Sequence, residues 1–134
     1  MKSFIKAILP KQLVKQFETY RIIKKWGKTN FLEHSPQMIK EFVFERYGID
    51  NAPWVETGTF QGKTTNFLRE RYPHVYTIEP EIKLYKDALK RFIGKNVTLY
   101  NDVSENVFPN LLKKLSGDVN FWLDGHYSEG ITFK

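Results

Sequence analysis

Trp54-Val55-Glu56-Thr57-Gly58-Thr59-Phe60-Gln61-Gly62-Lys63-Thr64-Thr65 is the stretch whose reading decides the fold. Trp54, Val55 and Glu56 make a short strand, and a helix is expected over 64–72 until Pro73 stops it. The two glycines between them permit a tight turn and let a ligand come close to the backbone and to the helix N-terminus. The same alternation then repeats downstream. Residues 74–78 (HVYTI) are β-branched and aromatic, and 81–93 reads as a helix carrying Ile82, Tyr85, Leu89 and Phe92 before Gly94. Residues 97–100 give a third strand, and 105–115 a helix with Leu111, Leu112 and Leu115, which Pro109 should kink or begin. Residues 119–123 (VNFWL) give a fourth strand. This β-α-β-α-β-α-β order predicts an α/β protein: an open parallel sheet with right-handed crossovers, helices on both faces and ligand chemistry at the strand C-termini.

Upstream, Ser35-Pro36 reads as an N-cap and first helical residue, followed by Met38, Ile39, Phe42, Val43 and Tyr47 as an apolar stripe and Gly48 as the stop. Residues 1–28 read as a short helix (Phe4, Ile5, Ile8, Leu9) and a longer one (Leu13, Val14, Phe17, Tyr20), separated at Pro10. A helical extension over 1–50 and an α/β domain over 51–134 are therefore expected. The leader holds eight basic side chains and one acid, whereas the remaining 106 residues hold thirteen basic and fourteen acidic ones. The net charge of +6 thus belongs to the leader, and the body is near neutral. A chain-wide nucleic-acid footprint is disfavoured, and no nucleic-acid partner is expected. A basic helix with an apolar face instead suits an anionic membrane surface reached by residues 1–28.

The chain has no cysteine, which excludes disulfides, thiolate zinc sites and a cysteine nucleophile. His34, His74 and His126 lack the close spacing of a helical zinc motif, and His34 and His74 are expected at the surface. No apolar run approaches the ~18–20 residues that span a bilayer, and Lys6, Pro10 and Lys11 interrupt any signal-peptide core. A cytoplasmic protein, peripheral at the inner membrane surface, is the expectation.

Gly62-Lys63-Thr64 resembles the end of a phosphate loop, but only three residues separate Gly58 from Gly62 where that motif has four. Asp124, after an apolar strand, imitates the acid of such sites, so a nucleotide-binding reading stays open. A different arrangement fits more of the residues. Glu56 lies at the end of the first strand and Glu79 at the end of the second, where a carboxylate can accept both hydroxyls of a ribose. Asp102 stands beyond the third strand, placed for an exocyclic amine. A carboxylate beside the glycine turn favours a cationic tail over a triphosphate.

These segments resemble the class I S-adenosylmethionine-dependent methyltransferases. Glu56-Thr-Gly-Thr-Phe-Gln-Gly62 is similar to their first motif, Tyr76-Thr-Ile-Glu79 to their second, Tyr100-Asn-Asp102 to their third, and Phe121-Trp-Leu-Asp-Gly-His-Tyr127 to that of their fourth strand. The likeness covers roughly residues 52–130 and is nearest to a branch associated with glycan and natural-product genes. The resemblance implies a Rossmann-like sheet of order 3-2-1-4 with later strands missing, as in a truncated chain. It implies that Glu56, Gly58 and Gly62 contact the methionine moiety, Glu79 the ribose and Asp102 the adenine. It also implies methyl transfer to a hydroxyl of a sugar or related acceptor. Asp124 and His126 are the candidate catalytic pair, with His126 as base and Asp124 orienting it or binding a divalent cation. A fourth strand at the sheet edge would expose backbone groups and invite homo-oligomers. A noncatalytic, membrane-associated or oligomerising scaffold is the alternative of another class.

Overall fold

The structure, a computed structural model, describes residues 10–124 of the 134. The expected short helix around Phe4–Leu9 and the candidate base His126 lie outside the described residues. The chain divides into two units, Met1–Phe42 and Val43–Lys134.

In the first unit, helix α1 (Lys11–Gly27) starts directly after Pro10. Its C-terminal end is secured by Trp26. The indole N–H donates to the Glu33 carbonyl at 2.8 Å, and the ring meets Phe31 edge-on at 4.8 Å. The Thr29 hydroxyl donates back to the Trp26 carbonyl at 2.7 Å, satisfying one of the carbonyls a helix end leaves over. Helix α2 (Gln37–Tyr47) begins one residue past Pro36, whose carbonyl accepts the Ile39 amide at 2.8 Å, and from Val43 onward it belongs to the second unit.

The second unit is built on strands β1 (Trp54–Thr57), β2 (Val75–Ile78), β3 (Val97–Tyr100) and β4 (Asn120–Leu123). All neighbours pair parallel, in the order β3-β2-β1-β4. This is the α/β, Rossmann-like sheet that the alternation predicts. Between the strands run α3 (Lys63–Arg69), α4 (Ile82–Phe92) and α5 (Ser104–Leu111), the last passing into a 3₁₀ turn, Leu112–Lys114. Moving from β1 to β2 to β3 keeps one direction across the sheet, whereas β3 to β4 reverses it. With right-handed crossovers, α3 and α4 therefore share one face and α5 takes the other.

The core agrees with that division. On one face Trp54 and Val75 pack with Phe67, Leu68 and Tyr72 from α3 and its exit, together with Phe44 from α2. On the other, Val55 and Ile78 pack with Val107 and Leu111 of α5. Side-chain alternation along β1 and β2 produces the two layers. Phe44 meets Trp54 at 5.1 Å and Trp122 at 4.9 Å, both edge-on, the geometry aromatic quadrupoles favour.

Helix faces differ from expectation in three places. In α2 the core residue is Phe44, while Phe42 and Tyr47 of the expected stripe are exposed. In α4 the buried row is Leu84, Ala88 and Phe92, spaced i, i+4, i+8; Ile82 and Leu89 of the expected row are exposed. In α5 regular helix precedes Pro109 and ends at Leu111, leaving Leu112 exposed. The common reason is that both α2 and α4 carry apolar residues on adjacent rows. Which row is buried depends on what packs there, and a small Ala88 permits close approach.

Three asparagines hold the connections. Asn120, the first residue of β4, accepts the Ile49 amide at 2.8 Å and donates to the Ile49 carbonyl at 3.0 Å, fastening the loop before β1. Asn96 donates to the carbonyls of Arg69, Tyr72 and Pro73, and Asn101 to those of Glu79 and Pro80. Each supplies side-chain donors to carbonyls of the connecting loops.

Candidate functional site

The parallel sheet brings the ends of β1 to β4 to one edge. Each strand finishes in or just before an acid: Glu56 within β1, then Glu79, Asp102 and Asp124 after β2, β3 and β4. The expected residues are thus delivered to the same side of the sheet by topology alone.

The loop from β1 to α3 is held at several successive residues. Gly58, with φ +84°, continues the ladder by donating its amide to the Ile78 carbonyl at 2.9 Å. Gly62, with φ +66°, closes the turn by donating to the Thr59 carbonyl at 2.7 Å. A Cβ on Gly62 would stand 2.9 Å from the Phe92 ring, so this position needs glycine for both conformation and space. Between them Phe60 takes φ +47°, a region that non-glycine residues rarely occupy and that persists only where the surroundings impose it. Two contacts impose it: Phe60 donates its amide to Glu79 Oε2 at 2.7 Å, and the Arg91 guanidinium donates to the Gln61 carbonyl.

Glu79 is 4% exposed, and its two oxygens are divided between two segments. Oε2 takes the Phe60 amide, and Oε1 takes the Glu81 amide at 3.0 Å. The acid after β2 therefore fixes the glycine loop after β1 to the start of α4.

Glu56 is 1% exposed and faces α3. Its Oε2 accepts the hydroxyls of Thr65 at 2.5 Å and Thr77 at 2.8 Å. Thr77 sits directly opposite Glu56 in the register of β2 on β1. Since the Thr77 proton points to Glu56, the 2.6 Å contact between Thr77 and Thr59 hydroxyls is donated by Thr59. Loop, β2, β1 and α3 are joined through this one relay. Thr59, Thr65 and Thr77 were not candidates from the sequence. The available signal was strand parity: Glu56 shares a face with Trp54, and so points to the helix layer.

Asp102 is exposed. Its Oδ1 accepts the Val103 amide at 2.8 Å and the Asn106 side-chain amide at 2.9 Å, which ties the loop after β3 to the first turn of α5. Asp124 follows Leu123 directly at the edge of the sheet. Lys63, the lysine of the phosphate-loop reading, is exposed at the first turn of α3. Among the described residues no group of three or more His, Cys, Asp or Glu side chains could hold a metal ion. The divalent cation expected at Asp124 has no ligand set among them.

His74 lies at the other end of β2 from Glu79. It is part-buried rather than fully at the surface, with Nε2 at 2.8 Å from the Thr98 hydroxyl and its ring 4.6 Å from that of Tyr76. Burial lowers its pKa. Burial likewise raises the pKa of Tyr72, whose hydroxyl donates to the Phe44 carbonyl at 2.8 Å.

No protein-family model matches the chain. No curated protein matches it. Among solved structures, the crystal structure of the 23S rRNA methyltransferase ErmE is similar over 52% of this chain, at 21% identity and a TM-score of 0.46. The chain spans 29% of that protein.

Proposed function

We propose that residues 43–134 form the cofactor-binding part of an S-adenosylmethionine-dependent methyltransferase that acts on a hydroxyl of a sugar or related small molecule. The observation that carries this reading is an acid at the end of every strand around one glycine turn. Four carboxylates along that edge oppose a triphosphate and suit a nucleoside with a cationic tail. The bound cofactor would supply an electrophilic methyl group on its sulfonium.

The side chains present fit that ligand. Each Glu79 oxygen accepts one backbone N–H, and a carboxylate offers about four lone-pair sites, so two remain for a ribose diol. Both local bonds of Asp102 fall on Oδ1, which supports a role for Oδ2 as acceptor of an exocyclic amine. Gly58 and Gly62 keep the backbone low where the methionine end would lie. Glu56 stands behind the loop, where its charge bears on an ammonium or sulfonium without an exposed surface of its own. Asp124 and His126 are assigned the acceptor side, with His126 removing the hydroxyl proton and Asp124 orienting it.

Calorimetric titration of the full chain with S-adenosylmethionine, S-adenosylhomocysteine and ATP tests the reading. Saturable heats are expected for the first two and none for ATP, with Glu79→Ala weakening binding by about tenfold or more, ~1.4 kcal/mol. Absence of heat at millimolar cofactor, or indifference to Glu79→Ala, overturns it.

A further inference from the structure

The first unit carries the whole of the chain's excess charge. Residues 1–42 hold nine basic and three acidic side chains, and residues 43–134 hold twelve of each. Helix α1 buries none of its residues. It presents Lys11, Lys15, Arg21, Lys24 and Lys25, with Lys28 just beyond, against the single acid Glu18.

The same helix leaves apolar side chains in water. Leu13, Phe17 and Tyr20 are 41%, 50% and 62% exposed, and their spacing of i, i+4, i+7 aligns them in one row. Lys24 continues that row, its ammonium 5.7 Å from the centre of the Tyr20 ring. Arg21 and Lys28 flank it by helical geometry, each on a stem long enough to lie along an apolar surface while its charge reaches past it.

We propose that α1 lies in the plane of an anionic lipid surface, with Leu13, Phe17 and Tyr20 at the acyl boundary and the flanking lysines and arginine on headgroup phosphates. Charge complementarity alone would also suit a nucleic acid. That polyanion would engage the basic groups and leave the apolar row in water, whereas a lipid surface places anionic groups directly above hydrocarbon. Among the described residues no helix is long and apolar enough to cross a membrane, so the geometry is one of lying on the surface. The inference rests on α1 and does not depend on the cofactor reading.

The test is flotation of the full chain with phosphatidylcholine vesicles, with and without phosphatidylglycerol. Partition onto the anionic vesicles alone is expected, falling about tenfold or more in the triple variant Arg21→Glu, Lys24→Glu, Lys28→Glu. Phe17→Ala is expected to lower partition several-fold at unchanged charge. These side chains are exposed, so the variants should melt with the parent chain; lost flotation then reports lost docking. Equal partition onto neutral vesicles, an unaffected triple variant, or an unaffected Phe17→Ala each overturns the proposal. So does a chain that fails to float but retains a duplex oligonucleotide.

Discussion

The Phe60 amide donates to Glu79 Oε2 at 2.7 Å, so the acid that ends one strand holds the backbone of the loop that leaves its neighbour. Phe60 is also the loop residue with the unfavourable positive φ. The same residue thus carries both the anchoring hydrogen bond and the positive φ.

Removing that carboxylate should affect both stability and binding. Glu79→Ala leaves the Phe60 and Glu81 amides without their acceptors, a loss of about 1–3 kcal/mol by the cost of unsatisfied buried donors. Glu79→Gln keeps one carbonyl oxygen and should lose less. Urea denaturation of both variants, read beside their cofactor titrations, separates loop anchoring from ligand contact.

The relay from Thr59 through Thr77 to Glu56 predicts a second loss. Thr77→Val keeps the shape but deprives Glu56 of a buried hydroxyl donor, at about 1–3 kcal/mol. Thr65→Val removes another. Because both act on the same oxygen, the double variant should depart from additivity by about 0.5 kcal/mol or more, and a double-mutant cycle measures it.

Gly48 needs no unusual backbone angle, yet it should not tolerate alanine. An added Cβ would stand 2.5 Å from both the Phe44 carbonyl and the Tyr72 hydroxyl, where the buried hydrogen bond between those residues lies. Gly48→Ala is expected to cost about 1–3 kcal/mol through overpacking. Gly94→Ala, whose Cβ meets nothing within 4 Å, should cost only its left-handed conformation, about 1–2 kcal/mol. Thermal melts should rank the two in that order.

His74 should make the fold sensitive to mild acid. Burial depresses its folded-state pKa below the ordinary value, so in the window between the two the unfolded chain binds the additional proton. Stability therefore rises with pH through that window and is lost as pH falls below about 6.5. Denaturation midpoints measured from about pH 7 to about pH 5 should decline faster in the parent chain than in His74→Leu.

Much of this was legible in the chain itself. Alternating apolar segments and the breaks at Pro73 and Gly94 located strands and helices, because periodicity and chain-terminating residues act locally. The acids at 56, 79, 102 and 124 could be read as candidates because parallel strands place their C-terminal ends together. The burial of Phe44 in place of Phe42, and of Leu84 and Ala88 in place of Ile82 and Leu89, was not legible. Neighbouring rows of those helices are both apolar, and only the packing partner selects one.

The sequence by itself determined the order of elements, the parallel sheet and which residue types stand at the C-terminal ends of its strands. The tertiary structure decided what those residues bond to. Register set Thr77 opposite Glu56 and gave that acid a buried hydroxyl partner. The turn after β2 brought Glu79 onto the Phe60 amide and made it the anchor of the loop. Hydrogen bonds of this kind depend on distances of a few ångströms between residues about twenty positions apart, and no local pattern of residue types encodes them.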